Sequence, residues 1–496
     1  SDMFGRRTML IAGVLIFTVG SFLSGTSGSI EQLILWRAVQ GIGGGILTAN
    51  AFTIVGDLFA ARERGKWQGM IGAVFGVASV VGPLLGGFLT EAHTIFGLTT
   101  DWRWTFFINV PIGIIALVII AIFCPSLKHE NKPRIDYVGA GLMALALATL
   151  VLAVDNTDKI FAGFLESTGM SLVMLRTTMF SVVALAIAAF IIVERRAKEP
   201  ILQLEFFKNR NFILLTIIAT LIGAAMLGSI LYLTQFNQQV FNATPTQSGL
   251  MLLPMIAGIM ITSITSGQLV SKTGKYKRFM IIGFVIGTAA VASLLFLTPS
   301  SLYLQEAISM FFIGVGLGAA MPLLNVAIQN EFEQKYLGVV TGSNQLFRGL
   351  GSTIGVAVFG SMLTVGITNV LGDMSRDPYV ETLRQSPAAS QMITNVNDAD
   401  TLLNLNTSET KQKVNEGLEA SLAGSPLPVV AKEKLQQDVR DKQAAYNDKV
   451  VDAFSRSLHQ IFIVTSLLML AAGGLSLALK ERELRTASVD ETPSEV

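Results

Sequence analysis

Residues 69–87, GMIGAVFGVASVVGPLLGG, decide how the rest of the chain is read. Gly72 and Gly76, then Gly82 and Gly86, stand four apart, so on a helix each pair shares a face. A face stripped to backbone lets a neighbouring transmembrane helix approach closely. Pro83 offers no backbone N–H and crowds the preceding turn, which predicts a kink. The apolar run around this stretch exceeds the roughly 20 residues that span a bilayer.

Composition agrees. Of 496 residues, 51% are hydrophobic and only 14% are charged, against about 25% charged in soluble domains. Mean hydropathy is +0.56. The fold class that follows is all-α, a polytopic helical membrane protein. A net charge of +1 gives no footprint for nucleic acid. The single cysteine, Cys124, excludes an internal disulfide framework and a thiolate metal site within one chain. His93, His129 and His459 are far apart and fit no metal-ligand spacing. No nucleophile–base pair stands within the apolar runs, so no catalytic or metal-binding residue is expected and no cofactor is implied.

Apolar runs fall near 8–27, 31–55, 68–90, 104–123, 136–154, 173–193, 212–234, 248–270, 279–297, 303–328, 338–366 and 458–479, about twelve spans. Each should be helical, because hydrocarbon offers the backbone no other hydrogen-bond partner. Lysine and arginine gather in alternate short loops: Arg6-Arg7, Arg62/Arg64/Lys66, Lys128/Lys132/Arg134, Arg195/Arg196/Lys198, Lys272/Lys275/Lys277/Arg278 and Lys480/Arg482. The intervening short loops hold little beyond Arg103, Lys159 and Arg176. The positive-inside rule makes the first set cytoplasmic, with both termini of this chain inside.

Two cytoplasmic loops echo each other. Asp2-Met3-Phe4-Gly5-Arg6-Arg7 is matched by Ser271-Lys272-Thr273-Gly274-Lys275-Tyr276, with glycine suited to a tight turn. Together with the glycine–proline stretch (Gly69, Ala78, Gly82, Pro83, Gly86 and Gly87), these loops resemble the major facilitator superfamily. The stretch is similar to the antiporter signature of its exporters, with Ala78 where the family has glycine. Four spans follow the second loop and eight precede it, so two helices near 136–154 and 173–193 read as inserted. That resembles the fourteen-helix drug:proton antiporter branch, and the alignment implies that the first two helices, before Asp2, are absent here.

The expected organisation follows. Residues 1–128 form an incomplete N-terminal bundle (helices 3–6), 129–200 two linker helices, and 201–367 a C-terminal bundle (helices 9–13). Residues 368–456 are polar and charged, an extracellular segment read as a helical hairpin over the outer mouth, and 457–496 hold the last helix and a cytoplasmic tail. Asn242 and Asn406 begin weak glycosylation sequons.

Charged and polar residues inside spans are functional candidates, since burying arginine at a helix centre costs about 2.5–3.5 kcal/mol on insertion scales. Arg37 lies within LILWRAVQGIGGGILTAN, with Gln40, Gly41, Gly44 and Thr48 following on a similar face. The segment looks like the family's fourth-helix motif, whose arginine is implicated in proton transfer. Arginine keeps its own proton, so its role would be to tune a nearby carboxylate. No mid-span acid stands out: Asp57 and Asp136 fall at cytoplasmic ends, Asp155 and Glu306 towards the outer side. Arg348, with Thr341, Asn344, Gln345 and Ser352, forms a polar stripe expected to face a central cavity. Gln235, Asn237, Gln238, Asn325, Gln329 and Asn109 are further candidates for the path. Asp2, Gly5, Arg6 and Arg7, with Asp57, Arg62 and Arg64, are expected to form a conformational latch.

The resemblance implies a proton-coupled secondary transporter in the cell membrane, exporting amphipathic or cationic drugs by alternating access. Its partners would be the small-molecule substrate, protons, the lipid bilayer and, in some envelopes, an adaptor protein. Export of a siderophore, lipid or endogenous metabolite, or a non-transporting receptor or scaffold, are the alternatives on the same fold.

Overall fold

The computed structural model describes residues 5–90, 94–95, 97–125, 136–154, 157–197, 200–385, 398–423 and 428–484. Asp2, His93, His129, Asp155, the basic residues at 128, 132, 134 and 198, the turn at 424–427 and the Pro83 side chain lie outside the described residues. Twelve helices among the described residues are long and apolar enough to cross a membrane.

The main helices are α1 (Arg6–Gly25), α2 (Ile30–Leu58), α3 (Ala61–Thr90), α4 (Asn109–Phe123), α5 (Tyr137–Val154), α6 (Leu172–Arg196), α7 (Arg210–Val240), α8 (Leu253–Thr273), α9 (Lys277–Ser293), α10 (Tyr303–Asn330) and α11 (Leu337–Leu371). After these come α12 (Pro378–Gln385), α13 (Ala399–Leu405), α14 (Ser408–Ala423) and α15 (Val429–Leu477). α3 runs unbroken through position 83. Among the described residues one hairpin of two-residue strands, Thr94–Ile95 with Leu98–Thr99, stands between α3 and α4.

α1–α4 pack on one another, α5 pairs with α6, and α7–α11 form a second bundle with the later part of α15. The large buried apolar cluster lies wholly within the second bundle and its attachments, from Phe206 to Leu484. Small residues set how closely helices meet. A methyl on Gly316 of α10 would lie 2.6 Å from the Gly287 Cα of α9, and one on Gly20 of α1 would lie 2.7 Å from the Gln40 nitrogen of α2.

Between the bundles the contact is a glycine seam, and it differs from the expected one. Methyls on Gly65 and Gly72 of α3 would fall 3.0 Å from the Gly267 oxygen of α8 and 2.8 Å from Pro322 Cγ of α10. A methyl on Gly69 would collide with the Ser263 carbonyl oxygen, and one on Gly76 would lie 2.7 Å from Ile259 Cγ2. Gly82 and Gly86 face open space, so the close approach belongs to 65, 69, 72 and 76. Gly87 meets the Thr246 backbone at the far end of the same seam.

The basic residues converge at one end. Gly5 and Gly274, the paired glycines of the two echoed loops, have φ of 82° and 70°, where a side chain would be strained. Lys277 Nζ donates to the Leu477 and Leu479 carbonyls at 2.8 and 2.7 Å, capping α15 with a cation. Tyr276 is buried beside this junction, and its hydroxyl is pushed up to about 12 by burial first and by the Glu331 charge second.

At the opposite end the polar segment after α11 is helical among its described residues. α15 begins at Val429, so the apolar run near 458 continues a helix begun in the polar segment rather than starting one. Its 49 residues extend about 73 Å at 1.5 Å per residue. The segment is tied down on α7 and α15. Asn406 Nδ2 donates to Gln239 Oε1 (3.0 Å), and Lys411 Nζ donates to Asn242 Oδ1 (2.9 Å) and Asn447 Oδ1 (2.7 Å). Lys449 pairs with Asp377 at 2.8 Å. Asn406 is fully buried in this junction, which closes its sequon to glycosylation in the folded chain.

Candidate functional site

Three polar groups stand against the apolar background. The first is at the basic end. Arg6, 2% exposed, donates through Nε to Asp57 Oδ2 at 2.6 Å, joining the start of α1 to the end of α2. Arg7 donates to the Ala121 carbonyl at the end of α4. Arg62 reaches across to the other bundle, with Nε 2.8 Å from the Ser271 carbonyl and Nη2 2.7 Å from the Lys272 carbonyl. These are terminal carbonyls of α8, where the helix dipole favours a cation. Arg64 stays local, donating to the Phe59 carbonyl at 3.0 Å.

Just inside that end an amide relay joins the bundles. Gln68 Nε2 of α3 donates to Gln329 Oε1 of α10 at 2.7 Å. Gln329 Nε2 donates in turn to the Phe52 carbonyl (3.2 Å) and to Thr341 Oγ1 of α11 (3.0 Å). All of it is buried, so each bond replaces water that would have to return if the bundles parted.

The second group is built around Arg37. Its Nη1 donates to Gln40 Oε1 (2.7 Å), Gln40 Nε2 donates to Ser21 Oγ of α1 (2.8 Å), and Asn109 Nδ2 of α4 donates to the same oxygen (3.0 Å). Ser21 Oγ donates onward to the Phe106 carbonyl at 3.2 Å. The guanidinium sits 5.6 Å from the Phe106 ring centroid, a cation–π distance. Gln40 is buried, whereas Arg37 is exposed. The chain of amides therefore fixes one side of a guanidinium whose other donors are open.

The third group lies between the bundles. Arg348 of α11, with Phe52 and Phe75 from the first bundle and Met226, Met321 and Asn325 from the second, lines a cavity of about 20 Å³. That holds little more than one water, so the site is occluded. The Arg348 guanidinium is 5.6 Å from the Phe75 ring centroid. Asn344 Nδ2 donates to Asn325 Oδ1 at 2.8 Å. Gln345 is the outlier of the stripe, with both amide atoms buried and unpartnered among the described residues. Gln235 likewise has a buried, unpartnered Oε1 and does not line this cavity. Ala78 is exposed.

Asn325, Asn344 and Arg348 thus come together, as do Arg6 with Asp57 and Arg37 with Gln40, and Asn109 joins the Arg37 group. Sequence reasoning missed Gln68, Gly65, Ser263, Gly267 and Pro322, which build the contact between bundles. The Gly65-x3-Gly69 spacing, immediately before the quoted stretch, was the available signal. Among the described residues no group of three metal-ligating side chains gathers.

A sequence model described as Major Facilitator Superfamily matches residues 1–356. The chain is 35% identical over 384 residues to the multidrug transporter protein MdtP of Bacillus subtilis, covering 77% of this chain and 68% of that one. It is 36% identical over 374 residues to multidrug resistance protein 3 of the same organism, covering 75% and 70%. The crystal structure of the human organic anion transporter MFSD10 superimposes with a TM-score of 0.51 at 15% identity, over 73% of this chain and 72% of that chain. With its twelve spans, its paired loops and these relatives, the chain is a secondary transporter rather than an enzyme, and it belongs to the major facilitator superfamily.

Proposed function

We propose that this transporter exports amphipathic or cationic compounds, drugs among them, across the cell membrane in exchange for protons. The observation that carries this reading is the interface between the bundles. Along its middle it is bare glycine backbone, which can slide or tilt without unpacking large side chains. At its basic end it is held by a few directional bonds from Arg62 and Gln68, which can break as a unit. The relatives named for multidrug transport support the substrate class.

In this reading the two halves are residues 1–128 and 201–367, with 129–200 as an inserted helix pair. The basic end faces the cytoplasm under the positive-inside rule, and the polar segment caps the outer mouth. Breaking the Arg62 and Gln68 contacts admits substrate from the cytoplasm to Asn325, Asn344 and Arg348. Phe75, Met226 and Met321 give the cavity walls that repack around varied apolar ligands. Arg37, oriented by Gln40, Ser21 and Asn109, presents its free donors to a carboxylate that carries the exchanged proton. The Arg6–Asp57 pair keeps α1 and α2 moving together.

The test is flux in vesicles bearing the full-length transporter, with a proton gradient imposed and a fluorescent lipophilic cation as cargo. Gradient-driven export that Arg37→Ala abolishes is the expected result. Export that ignores the gradient would remove the proton from the reading, and no export at all would remove this substrate class.

A further inference from the structure

Glu306 sits in the first turn of α10, in the half of the transporter away from Arg37. It is 0% exposed, and both carboxyl oxygens are buried with no hydrogen-bond partner among the described residues. It shares a helix face with Met310 and Ile313, both part of the large apolar cluster.

The helices packed against α10 bring it no compensating charge. α7, α8 and α9 carry their charged residues, Arg210, Lys272, Lys277 and Arg278, at their basic ends. The charges of α3 (Arg62, Glu63, Arg64 and Lys66) lie at that end too, and Arg348 of α11 lines the central cavity. Nearby polar hydrogens are committed elsewhere. The Tyr303 hydroxyl, one turn before Glu306, donates to the Met251 carbonyl at 2.8 Å. Ser309, one turn after Glu306, bonds Ser293 of α9 at 2.7 Å.

A leucine or methionine would fill this position with no polar penalty. An ionised carboxylate here loses its water with nothing in return, whereas the neutral acid loses far less. We propose that Glu306 is a proton-binding site of the second bundle: it holds a proton in this closed packing and releases it when water enters from the cap end. Its carboxyl O–H bond breaks to a water molecule, leaving the carboxylate hydrated, and the reverse step reloads it. Its use in export rests on the antiport reading above, but its proton occupancy does not.

The deciding experiment is infrared spectroscopy of the full chain in lipid nanodiscs at neutral pH, with hydrogen–deuterium exchange. The expected result is a carbonyl-stretch band of a protonated carboxylic acid that Glu306→Gln removes, and that Glu306→Met also removes if the glutamine variant folds poorly. A band unchanged in both variants, or no such band in the parent, overturns the site. Vesicle flux separates this from the transport reading. Loss of gradient-dependence in Glu306→Gln, with the parent active, is expected. An inactive parent that still shows the Glu306 band would refute the antiport reading and leave the proton site standing.

Discussion

Adding one methyl at Gly69 tests the interface between the bundles. The Cβ of Gly69→Ala would be driven into the Ser263 carbonyl oxygen of α8. A backbone oxygen cannot rotate away, so α3 and α8 must separate locally, and overpacking of this kind costs about 1–3 kcal/mol. Glycine to alanine inside a helix also returns about 1 kcal/mol of intrinsic propensity, which would mask part of the loss. Gly82→Ala is the control, because a methyl there meets only open space. The propensity gain is common to both variants, so the difference between them isolates the clash, at about 1–3 kcal/mol. Equilibrium unfolding in one detergent, with equal denaturant dependence for both proteins, reads that difference. Equal stability of Gly69→Ala and Gly82→Ala would refute the seam as described.

Three further outcomes follow from particular contacts. Arg6→Met removes the cation bonded to the buried Asp57 carboxylate and leaves only the Arg64 charge near it, so it should destabilise the chain by up to about 3–5 kcal/mol, with Asp57→Asn less harmful, as thermal unfolding would show. Gln40→Leu removes the acceptor that orients Arg37; losing a hydrogen bond to a charged group, worth about 1.5–3 kcal/mol, should cut gradient-driven export by about tenfold or more while leaving substrate binding nearly intact in equilibrium assays. Burial pushes the Lys411 ammonium down to about 8, against a smaller opposing pull from Asp448. The unfolded chain therefore holds more protons than the folded one between about pH 8 and the ordinary lysine value near 10.4, so stability should rise with pH across that window. Lys411→Met should flatten the rise in melting temperature, and an unchanged slope would contradict the junction with Asn242 and Asn447.

The spans were legible because each is a long apolar run whose backbone can only be helical in hydrocarbon. The echoed loops were legible through Gly5 and Gly274, and both adopt the positive φ that a side chain would resist. The seam was half legible. Four-residue spacing identified a bare helix face, but Gly82 and Gly86 share that spacing with Gly72 and Gly76, and a methyl on either would meet nothing within 4 Å among the described residues. Spacing says which residues align, and only the partner helix says where along the face it lies.

α15 escaped for a different reason. Residues 429–456 are polar, and their polarity hides their continuity with the apolar helix that follows. Glu306 reads in sequence only as an acid towards the outer side of its span, at a helix start where the dipole favours negative charge. Its burial comes from the bundle packed around α10, which no local pattern encodes. Arg348 and Asn325 were found as polar groups in apolar runs. The Phe75 ring beside Arg348 was not, since an aromatic among apolar neighbours carries no signal of its own.

The central claim is that the bundles part at one end as they close at the other. Pulsed electron-spin distance measurements on two label pairs test it most directly, with Cys124→Ser removing the native thiol. One pair, at Glu63 and Thr273, spans the seam at the basic end, and the other, at Thr90 and Pro245, spans it at the cap end. The account predicts opposite changes when a lipophilic cation is added or the pH is stepped, the first pair lengthening as the second shortens. Two pairs that lengthen together, or distances that stay fixed under both treatments, would contradict it.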